Sequence, residues 1–355
     1  MRINGAVMFF SMERTVQAEP GVIVGPIANV LGFILDFIFN IMSGISLPVA
    51  LGLSIILFTV VIRILLLPIA IKMHKNMEKM RELKPYMDVI TKKYENKKDP
   101  ESMKQKNMEI QKLYSENGAN PIGGCLPALI QMPIFITLFT MFQRPYFYIT
   151  QLNDVYARIA THLMEMPQKV SVFTGNTVPG LLYYIEQTPS IGLDKLPNNI
   201  NLNFLETSEL MRLFNVYTEY DWNTLLSVIP HNYIDYAYFT SLLAEKNMME
   251  HFLTIDLVAP SGFGWPAILL PILSAGSTFL TSKLMMKQQT AMPGADNQAM
   301  IMQQKMMMYG MPIMMGAITI TAPAGVGLYW VASNIFHLIQ HITLTKLGSK
   351  KAEDE

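Results

Sequence analysis

A single arginine inside a long apolar stretch constrains this chain more than any other feature. Residues 47–71 read LPVALGLSIILFTVVIRILLLPIAI, twenty-five residues in which Arg63 is the only charge. About twenty apolar residues cross a bilayer, so the stretch is long enough to span a membrane. A guanidinium stays protonated at any accessible pH, and burying it in lipid costs about 3 kcal/mol or more. Water or polar groups must therefore surround Arg63.

The composition also indicates a membrane protein. Hydrophobic residues make up 51% of the 355 residues and charged residues 15%, whereas soluble domains carry about 25% charged residues. The formal net charge is zero, which by itself identifies no partner, and we expect no specific nucleic-acid partner. The single cysteine, Cys125, excludes an internal disulfide and argues against a cysteine-based metal site.

Residues 21–45 are predicted to form an amphipathic helix. At 100° per residue a narrow polar stripe falls within about 60° of the helix surface. Its members are Asn29, Asp36, Asn40 and Ser43. This pattern favours a helix lying along the membrane interface, and an uncleaved signal anchor is the alternative. Residues 1–20 make a poor signal peptide, because two charged residues interrupt their short apolar run.

The segment after the first apolar stretch is predicted to be a helical hairpin over residues 72–120. Residues 72–118 carry twelve Lys/Arg and eight Asp/Glu and contain no apolar run. Apolar side chains recur at helical spacings and predict a seam with a partner helix. They are Met73, Met77, Met80, Met87 and Tyr94. The first helix is predicted to stop at 96–98, and Asp99, Pro100 and Glu101 are typical of the start of a second.

Four further apolar segments follow, with an acidic stretch between the first two. Residues 145–263 carry five Lys/Arg and twelve Asp/Glu and no long apolar run, which indicates a small, irregular, partly helical domain. The predicted order is therefore an N-terminal segment 1–46, first span 47–71, hairpin 72–120, second span 121–144, insertion 145–263, third span 264–282, methionine-rich loop 283–305, fourth span 306–322, fifth span 323–345 and tail 346–355.

The distribution of basic residues predicts the orientation. The hairpin, the methionine-rich loop and the tail together carry eighteen Lys/Arg, so the positive-inside rule places all three in the cytoplasm. Five spans then put residues 1–46 and the insertion outside. We expect a multi-pass protein of the cell membrane with its N-terminus outside and its C-terminus in the cytoplasm.

Polar residues of four predicted spans gather at the depth of Arg63. Arg63 lies nine residues before Lys72, about 13 Å above the cytoplasmic end of the span. The candidate groove residues are Arg63, Thr59, Gln131, Ser274, Thr278, Tyr329, Trp330, Ser333, Asn334, His337 and Gln340. No Asp or Glu lies in any predicted span, so we predict a hydrated, basic groove open to the cytoplasm. The alternatives are packing roles for the serines and threonines and a snorkelling Arg63.

No metal site or cofactor is expected. His337 and His341 are four residues apart, as two metal ligands on a helix would be, but no carboxylate or cysteine joins them. The methionines of 283–308 could suggest copper, and a flexible apolar surface is the simpler interpretation.

Three motifs resemble the YidC/Oxa-type membrane protein insertases. They are VIRILLLPIAIKMHKNMEKMRELKP (61–85), NPIGGCLPALIQMPIFITLF (120–139) and PAGVGLYWVASNIFHLIQ (323–340), and they occur in the order of that family. The entry to the third span, FLTIDLVAPSGFGWPAILLPIL (252–273), is also similar. The resemblance covers roughly residues 47–144 and 250–346. The long stretch 145–250 and the histidines at 337 and 341 depart from the family pattern.

The resemblance implies five core helices around a cytoplasm-facing hydrophilic groove, with a coiled-coil hairpin. The family's groove arginine matches Arg63, its second-span glutamine matches Gln131, and its fifth-span tyrosine and asparagine match Tyr329 and Asn334. It implies a non-enzymatic insertase whose partners are nascent membrane proteins, the lipid bilayer, and ribosomes and signal-recognition machinery at the cytoplasmic loops. The sequence leaves open whether a Sec translocon takes part.

Two other functions stay open from the residues alone. One is a transporter or anion channel with Arg63 as its substrate site, although no internal repeat of the transporter kind is visible. The other is an assembly factor that helps helices pack without inserting them. No nucleotide-binding loop and no nucleophile paired with a base is recognisable, so we expect no enzyme activity.

Overall fold

A computed structural model of the chain describes residues 24–95, 97, 99–120, 126–170, 177–188, 207–289, 302 and 305–354. These residues are mainly helical, as the sequence predicts for an all-α protein. The predictions for residues 1–23, for Cys125 and for most of the methionine-rich loop lie outside the described residues. The chain divides into two compact units, Met1–Ser54 with Leu138–Ala259 and Ile55–Thr137 with Pro260–Glu355.

Two helices in the described part of the chain are long and apolar enough to cross a membrane. They are Gly25–Ile45 and Leu47–Leu65, and Met306–Thr321 is a shorter apolar helix. The sequence predicts that the first of these helices lies along the membrane interface. Its length would also allow it to cross the membrane.

The first unit combines the N-terminal helix, the start of the arginine-bearing helix and the insertion. Its N-terminal part consists of α1 (Val24–Ile45), a 3₁₀ turn (Leu47–Val49) and the beginning of α2 (Ala50–Leu65). The insertion contributes α7 (Thr150–Met164), β1 (Lys169–Val170), β2 (Thr177–Val178), α8 (Gly180–Glu186), α9 (Thr207–Phe214), α10 (Glu219–Val228), α11 (Tyr236–Glu250), β3 (His251–Phe252) and β4 (Ile255–Asp256). Both strand pairs are two-residue antiparallel hairpins, β1 with β2 and β3 with β4.

Helix α7 is the centre of this unit. Its apolar side chains recur every three or four residues and are fully buried, among them Leu152, Val155 and Ile159. A charged pair is buried beside it: Lys246 lies 2.5 Å from Glu250, and the Tyr156 hydroxyl donates to the same carboxylate at 2.6 Å. Burial raises the pKa of Glu250, and Lys246 opposes that rise.

The polar stripe of α1 faces the insertion. Asp36 accepts hydrogen bonds from the backbone N–H of Thr150 at 2.7 Å and from its hydroxyl at 3.1 Å. Gln151 donates its side-chain amide to Asn40 at 2.8 Å. Protein groups therefore satisfy part of the stripe that the sequence alone assigns to the membrane interface.

The second unit contains the rest of α2 and the helices of the predicted hairpin and later spans. Its helices are α3 (Leu67–Glu82), α4 (Lys84–Lys93), α5 (Pro100–Glu116), α6 (Leu126–Gln143) as far as Thr137, α12 (Leu269–Gln289), α13 (Met311–Thr321) and α14 (Ala324–Asp354), with a π-helical turn at Met306–Gly310. Helix α12 begins at Leu269, because the preceding residues form turns around Gly264 and Pro266. Helix α14 continues through the predicted tail.

Helices α3 to α5 give the geometry of the 72–120 segment. Asp99 caps α5 by accepting the backbone N–H of Ser102 at 2.8 Å, and the φ of +61° at Gly118 follows its end. The buried cluster between the helices consists of Met80, Leu83, Met87, Tyr114 and Ala119, with Met77, Ile110 and Leu113 packed against it. At its base, Asn76 and Asn120 exchange two hydrogen bonds of 2.8 Å.

Helices α12, α13 and α14 pack closely because small residues face one another. A Cβ added at Gly327 would lie 2.5 Å from Thr319 and 3.2 Å from Leu270, and one added at Gly316 would lie 3.2 Å from Ala275. The chain leading to α12 pairs with the turn between α13 and α14, since the Gly262 N–H donates to the Ile320 carbonyl at 2.9 Å.

Candidate functional site

The candidate site is built on one face of α14. Tyr329, Ser333, His337 and Gln340 recur at intervals of three and four residues, so a helix places them on one side. Tyr329 and Ser333 are each 2% exposed, and His337 and Gln340 are partly exposed. The face is therefore covered near Tyr329 and accessible toward the helix C-terminus.

Arg63 of α2 meets this face at Ser333. Its Nε donates to the Ser333 hydroxyl at 3.1 Å, and Nη2 donates to the same oxygen. In the described part of the chain Arg63 makes no ion pair. The guanidinium has more donors than one hydroxyl can accept, which leaves capacity for water or for a passing peptide.

Gln131 of α6 joins the same face through Tyr329. Its side-chain amide donates to the Tyr329 hydroxyl at 3.0 Å. Phe135, four residues further along α6, packs edge-on against Trp330 with ring centroids 5.4 Å apart. Phe135 is not among the predicted groove residues, and its i+4 spacing from Gln131 is the sequence signal that points to it.

Helix α12 supplies hydroxyl acceptors to the same helix. The Asn334 side chain donates to Ser277 and to Thr278, each at 3.0 Å, and the Trp330 indole N–H donates to Thr278 at 2.8 Å. Thr278 in turn donates to the Ser274 carbonyl at 2.6 Å. Thr278 is thus buried and joins α12 to α14. Ser277 also accepts a hydrogen bond from α14, although it is not among the candidate groove residues.

The hydroxyl groups of two candidate residues take no part in the contacts between helices. Thr59 is fully buried, and its hydroxyl donates to the Ile55 carbonyl of its own helix at 2.6 Å. Ser274 is also fully buried, and its hydroxyl has no hydrogen-bond partner among the described residues. The structure therefore brings Arg63, Gln131, Thr278, Tyr329, Trp330, Ser333 and Asn334 together, and gives Thr59 a role within its own helix.

The histidines lie toward the C-terminal end of the same face. The ring of His341 meets that of His74 edge-on, with centroids 6.1 Å apart, and His74 lies 3.4 Å from Glu78. Among the described residues, no group of three or more His, Cys, Asp or Glu side chains could hold a metal ion.

The mainly helical fold, the apolar helices and the cluster around Arg63 define an all-α membrane protein. The family model described as 60Kd inner membrane protein matches residues 41–185 and 206–352, and the chain belongs to this family. The match includes both the candidate site and most of the insertion, which confirms the family that the three motifs resemble.

Curated relatives with the name membrane protein insertase YidC match most of the chain. The relative from Oceanobacillus iheyensis is 26% identical over 295 residues, which is 83% of this chain and 74% of the relative. The relative from Caldanaerobacter subterraneus subsp. tengcongensis is 28% identical over 303 residues, 85% of this chain and 89% of the relative. The relative from Enterococcus faecalis is 38% identical over 135 residues, 33% of this chain and 49% of the relative. These comparisons do not favour the transporter or anion-channel alternative.

Proposed function

We propose that this chain is a membrane protein insertase that moves short hydrophilic segments of nascent membrane proteins through a groove containing Arg63. The observation that carries the proposal is the partnership of Arg63 with a neutral hydroxyl, Ser333, instead of a carboxylate. A charge that makes no ion pair among the described residues, and that meets a helix whose polar side chains include Tyr329 and Asn334, suits a transient polar passenger. Membership of the insertase family supports the same function.

The proposed topology has five spans with the N-terminus outside and the C-terminus in the cytoplasm. The five spans correspond to α2 with the start of α3, then α6, α12, α13 and α14. The C-terminal part of α3 forms a cytoplasmic hairpin with α4 and α5. Residues 145–263 form an extracytoplasmic domain. The concentration of Lys/Arg in the hairpin, loop and tail supports this orientation.

The groove lowers the cost of moving polar backbone through lipid. Each unsatisfied peptide group in hydrocarbon costs several kcal/mol, so shortening the dry path reduces the barrier. Partly exposed His337 and Gln340 form the cytoplasmic side of the groove, and the buried contacts of Tyr329 and Ser333 close it further in. The passenger's apolar helix then enters lipid and provides the driving force, and no covalent bond is made or broken.

Arg63 attracts an acidic outer segment of the passenger. A full positive charge in a region of reduced dielectric interacts more strongly with a carboxylate than it would in bulk water. Movement of an acidic segment outward is also favoured by a membrane potential that is positive outside. Acidic passengers should therefore depend on Arg63 more than neutral passengers do.

The proposed partners follow from this cycle. Nascent membrane proteins are the passengers, and ribosomes with signal-recognition machinery deliver them to the basic hairpin and the methionine-rich loop. The lipid bilayer receives the product. Action alone and action beside a Sec translocon are both compatible with the groove.

Reconstitution into protein-free liposomes tests the proposal. The substrate is a small single-span protein with an acidic outer tail, and the readout is protease-protected insertion. We expect purified protein to raise insertion above empty liposomes. The matched control is Ile335→Ala, which changes an exposed apolar residue on a different face of α14 and should retain activity. Equal insertion with and without the protein would overturn the insertase assignment.

A further inference from the structure

We propose that the insertion 145–263 is seated on the outer leaflet of the membrane through an apolar stripe of α1 and through the tip of the β3–β4 hairpin. The inference rests on the proposed topology, which places both elements outside. The interfacial position of α1 is already predicted from the sequence, and the new element is that the insertion is held at the membrane with it.

Helix α1 has three distinct faces. One apolar face is buried in the first unit and contains Ala28, Leu31, Leu35, Ile38 and Phe39. The polar stripe holds the insertion through the bonds of Asp36 and Asn40. The third face spans about 120° of the helix and is apolar and exposed. It consists of Val30, Phe33, Phe37, Ile41 and Ile45, which are 47–73% exposed. The exposed stripe needs an apolar partner.

The chain continues from this stripe directly into a candidate span. Helix α1 ends at Ile45, and the apolar helix Leu47–Leu65 begins two residues later. The C-terminal end of the stripe therefore lies at the entry of a membrane-spanning helix. Since that entry is surrounded by lipid, the outer leaflet is the partner that this continuity supports.

The hairpin tip reaches the same entry from the insertion. Phe252 packs so closely on Gly52 of α2 that a Cβ added at Gly52 would lie 2.2 Å from its ring. The next residue, Leu253, is 70% exposed. The tip thus presents a large apolar side chain beside the first turn of the spanning helix.

The tip keeps this side chain despite an unfavourable backbone. Leu253 has a φ of 48° and Thr254 a φ of 69°, in the region where turns prefer Asn and Gly. Each non-glycine residue there costs about 1 kcal/mol. An exposed Leu at such a position is explained if its side chain makes a contact outside the protein.

Charge cannot hold the insertion on the membrane. Residues 145–263 carry five Lys/Arg against twelve Asp/Glu, so anionic headgroups would repel the domain. Apolar contact has to provide the attachment. Adding anionic lipid to the vesicles should therefore not bring α1 or the tip any deeper into the membrane.

Spin-label depth measurements on the full-length protein test the inference. In a Cys125→Ser background, single labels are placed at Val30, Phe37, Ile45 and Leu253, and the protein is reconstituted in phosphatidylcholine vesicles. Oxygen and a water-soluble nickel complex report lipid and water contact. We expect all four labels to prefer oxygen and to lie at similar, shallow depths. A label at Asp154, which is exposed on α7, is the water-facing control, and one at Leu57 is the lipid-facing control.

The outcomes separate this inference from the proposed function. Water contact at Phe37 and Leu253 equal to that at Asp154, with Leu57 in lipid, would overturn the seating and leave the span intact. A maximum of depth at Phe37 would mean that α1 crosses the bilayer and would also overturn it. Water contact at Leu57 would overturn the spanning assignment of α2, and with it both proposals.

The double variant Leu253→Asn/Thr254→Gly gives an independent check. It relieves the unfavourable turn and removes the apolar tip, so a purely structural tip would gain thermal stability with no other change. We expect the label at Phe37 to become shallower in this variant, because the tip no longer helps to hold the domain down. An unchanged depth at Phe37 would remove the tip from the seating.

Discussion

Arg63 and Ser333 are 270 positions apart in the chain and are joined by hydrogen bonds between α2 and α14. The acceptor is a neutral hydroxyl, so the positive charge of Arg63 is not cancelled by this partner. A neutral partner holds the guanidinium in place and leaves its field available to other ligands. Arg63 is therefore suited to attract a charged ligand, which an arginine held in a structural ion pair would not be.

Replacing Arg63 should affect passengers according to their charge. Arg63→Ala should reduce insertion of a substrate with an acidic tail by about tenfold, which corresponds to about 1.4 kcal/mol. Arg63→Lys should retain most of the activity if positive charge is what matters. The liposome assay with acidic and neutral tails measures the difference. Equal activity of Arg63→Ala with every substrate would remove Arg63 from the mechanism.

Cysteine labelling should map which candidate residues meet water. In the Cys125→Ser background, Gln131→Cys and His337→Cys should react with a water-soluble maleimide, because both positions are partly exposed. Thr278→Cys should react more slowly, since Thr278 is 6% exposed and bonded to Trp330. Labelling rates in proteoliposomes provide the measurement, with the fully buried Ser54→Cys as the slow control. Silence at both 131 and 337 would mean a dry groove.

Glycine positions should separate close packing from helix propensity. Gly327→Ala places a Cβ 2.5 Å from Thr319 and should destabilise the second unit by about 1–3 kcal/mol. Gly276→Ala is the matched control, since the added Cβ would have no atom within 4 Å besides its chain neighbours and its own helix backbone, and it should be neutral or stabilising by up to about 1 kcal/mol. Thermal unfolding in detergent compares the two. A Gly327→Ala variant as stable as Gly276→Ala would contradict the close approach.

The buried pair Lys246 and Glu250 should give the insertion a pH-dependent stability. Because burial raises the pKa of Glu250, the folded state holds its proton more tightly than the unfolded state does. The resulting contribution to the free energy of unfolding is fully present below the pKa that Glu250 has in the unfolded chain. It is lost as the pH rises through the higher pKa of Glu250 in the folded protein. In Lys246→Met the opposing charge is gone, so the loss should be larger and extend to higher pH.

The cost of that variant and its rescue are both measurable. Lys246→Met should lower the free energy of unfolding by about 3 kcal/mol or more near neutral pH, because it leaves a buried carboxylate without its cationic partner. The double variant Lys246→Met/Glu250→Gln should recover much of the loss. Trp222 lies in this unit, so thermal unfolding can follow its fluorescence in a Trp265→Phe/Trp330→Phe background. If Lys246→Met and Lys246→Met/Glu250→Gln were equally stable, Glu250 would carry no charge in the Lys246→Met variant.

Local signals predicted local structure well. The pattern Asp99, Pro100, Glu101 predicted the start of α5, and the structure confirms the cap, because a helix start is determined by a few adjacent residues. The spacing on α14 likewise placed Tyr329, Ser333 and Asn334 together on a helix. The first inference depends on the residues that cap a helix and the second on helical periodicity, and both signals are local in the sequence.

Partners distant in the chain could not be predicted in the same way. The face shared by Thr59 and Arg63 suggested a groove residue, but the Thr59 hydroxyl bonds its own backbone. The polar stripe of α1 predicted a helix along the membrane interface, but it did not identify Thr150 of the insertion as the partner of Asp36. In both cases helical periodicity identifies the face of the helix on which a polar side chain lies. The hydrogen-bond partner of that side chain is known only from the folded structure.

The two hydrogen bonds between Asn76 and Asn120 have a consequence for the hairpin as a module. They hold together the two points where the chain leaves and rejoins the rest of its unit, so residues 77–119 form an excursion with adjacent ends. Closing such a gap needs only a short turn. Partners that bind the hairpin can therefore be separated genetically from the groove: a chain with a tight turn in place of the excursion should keep its thermal stability while losing whatever the hairpin recruits.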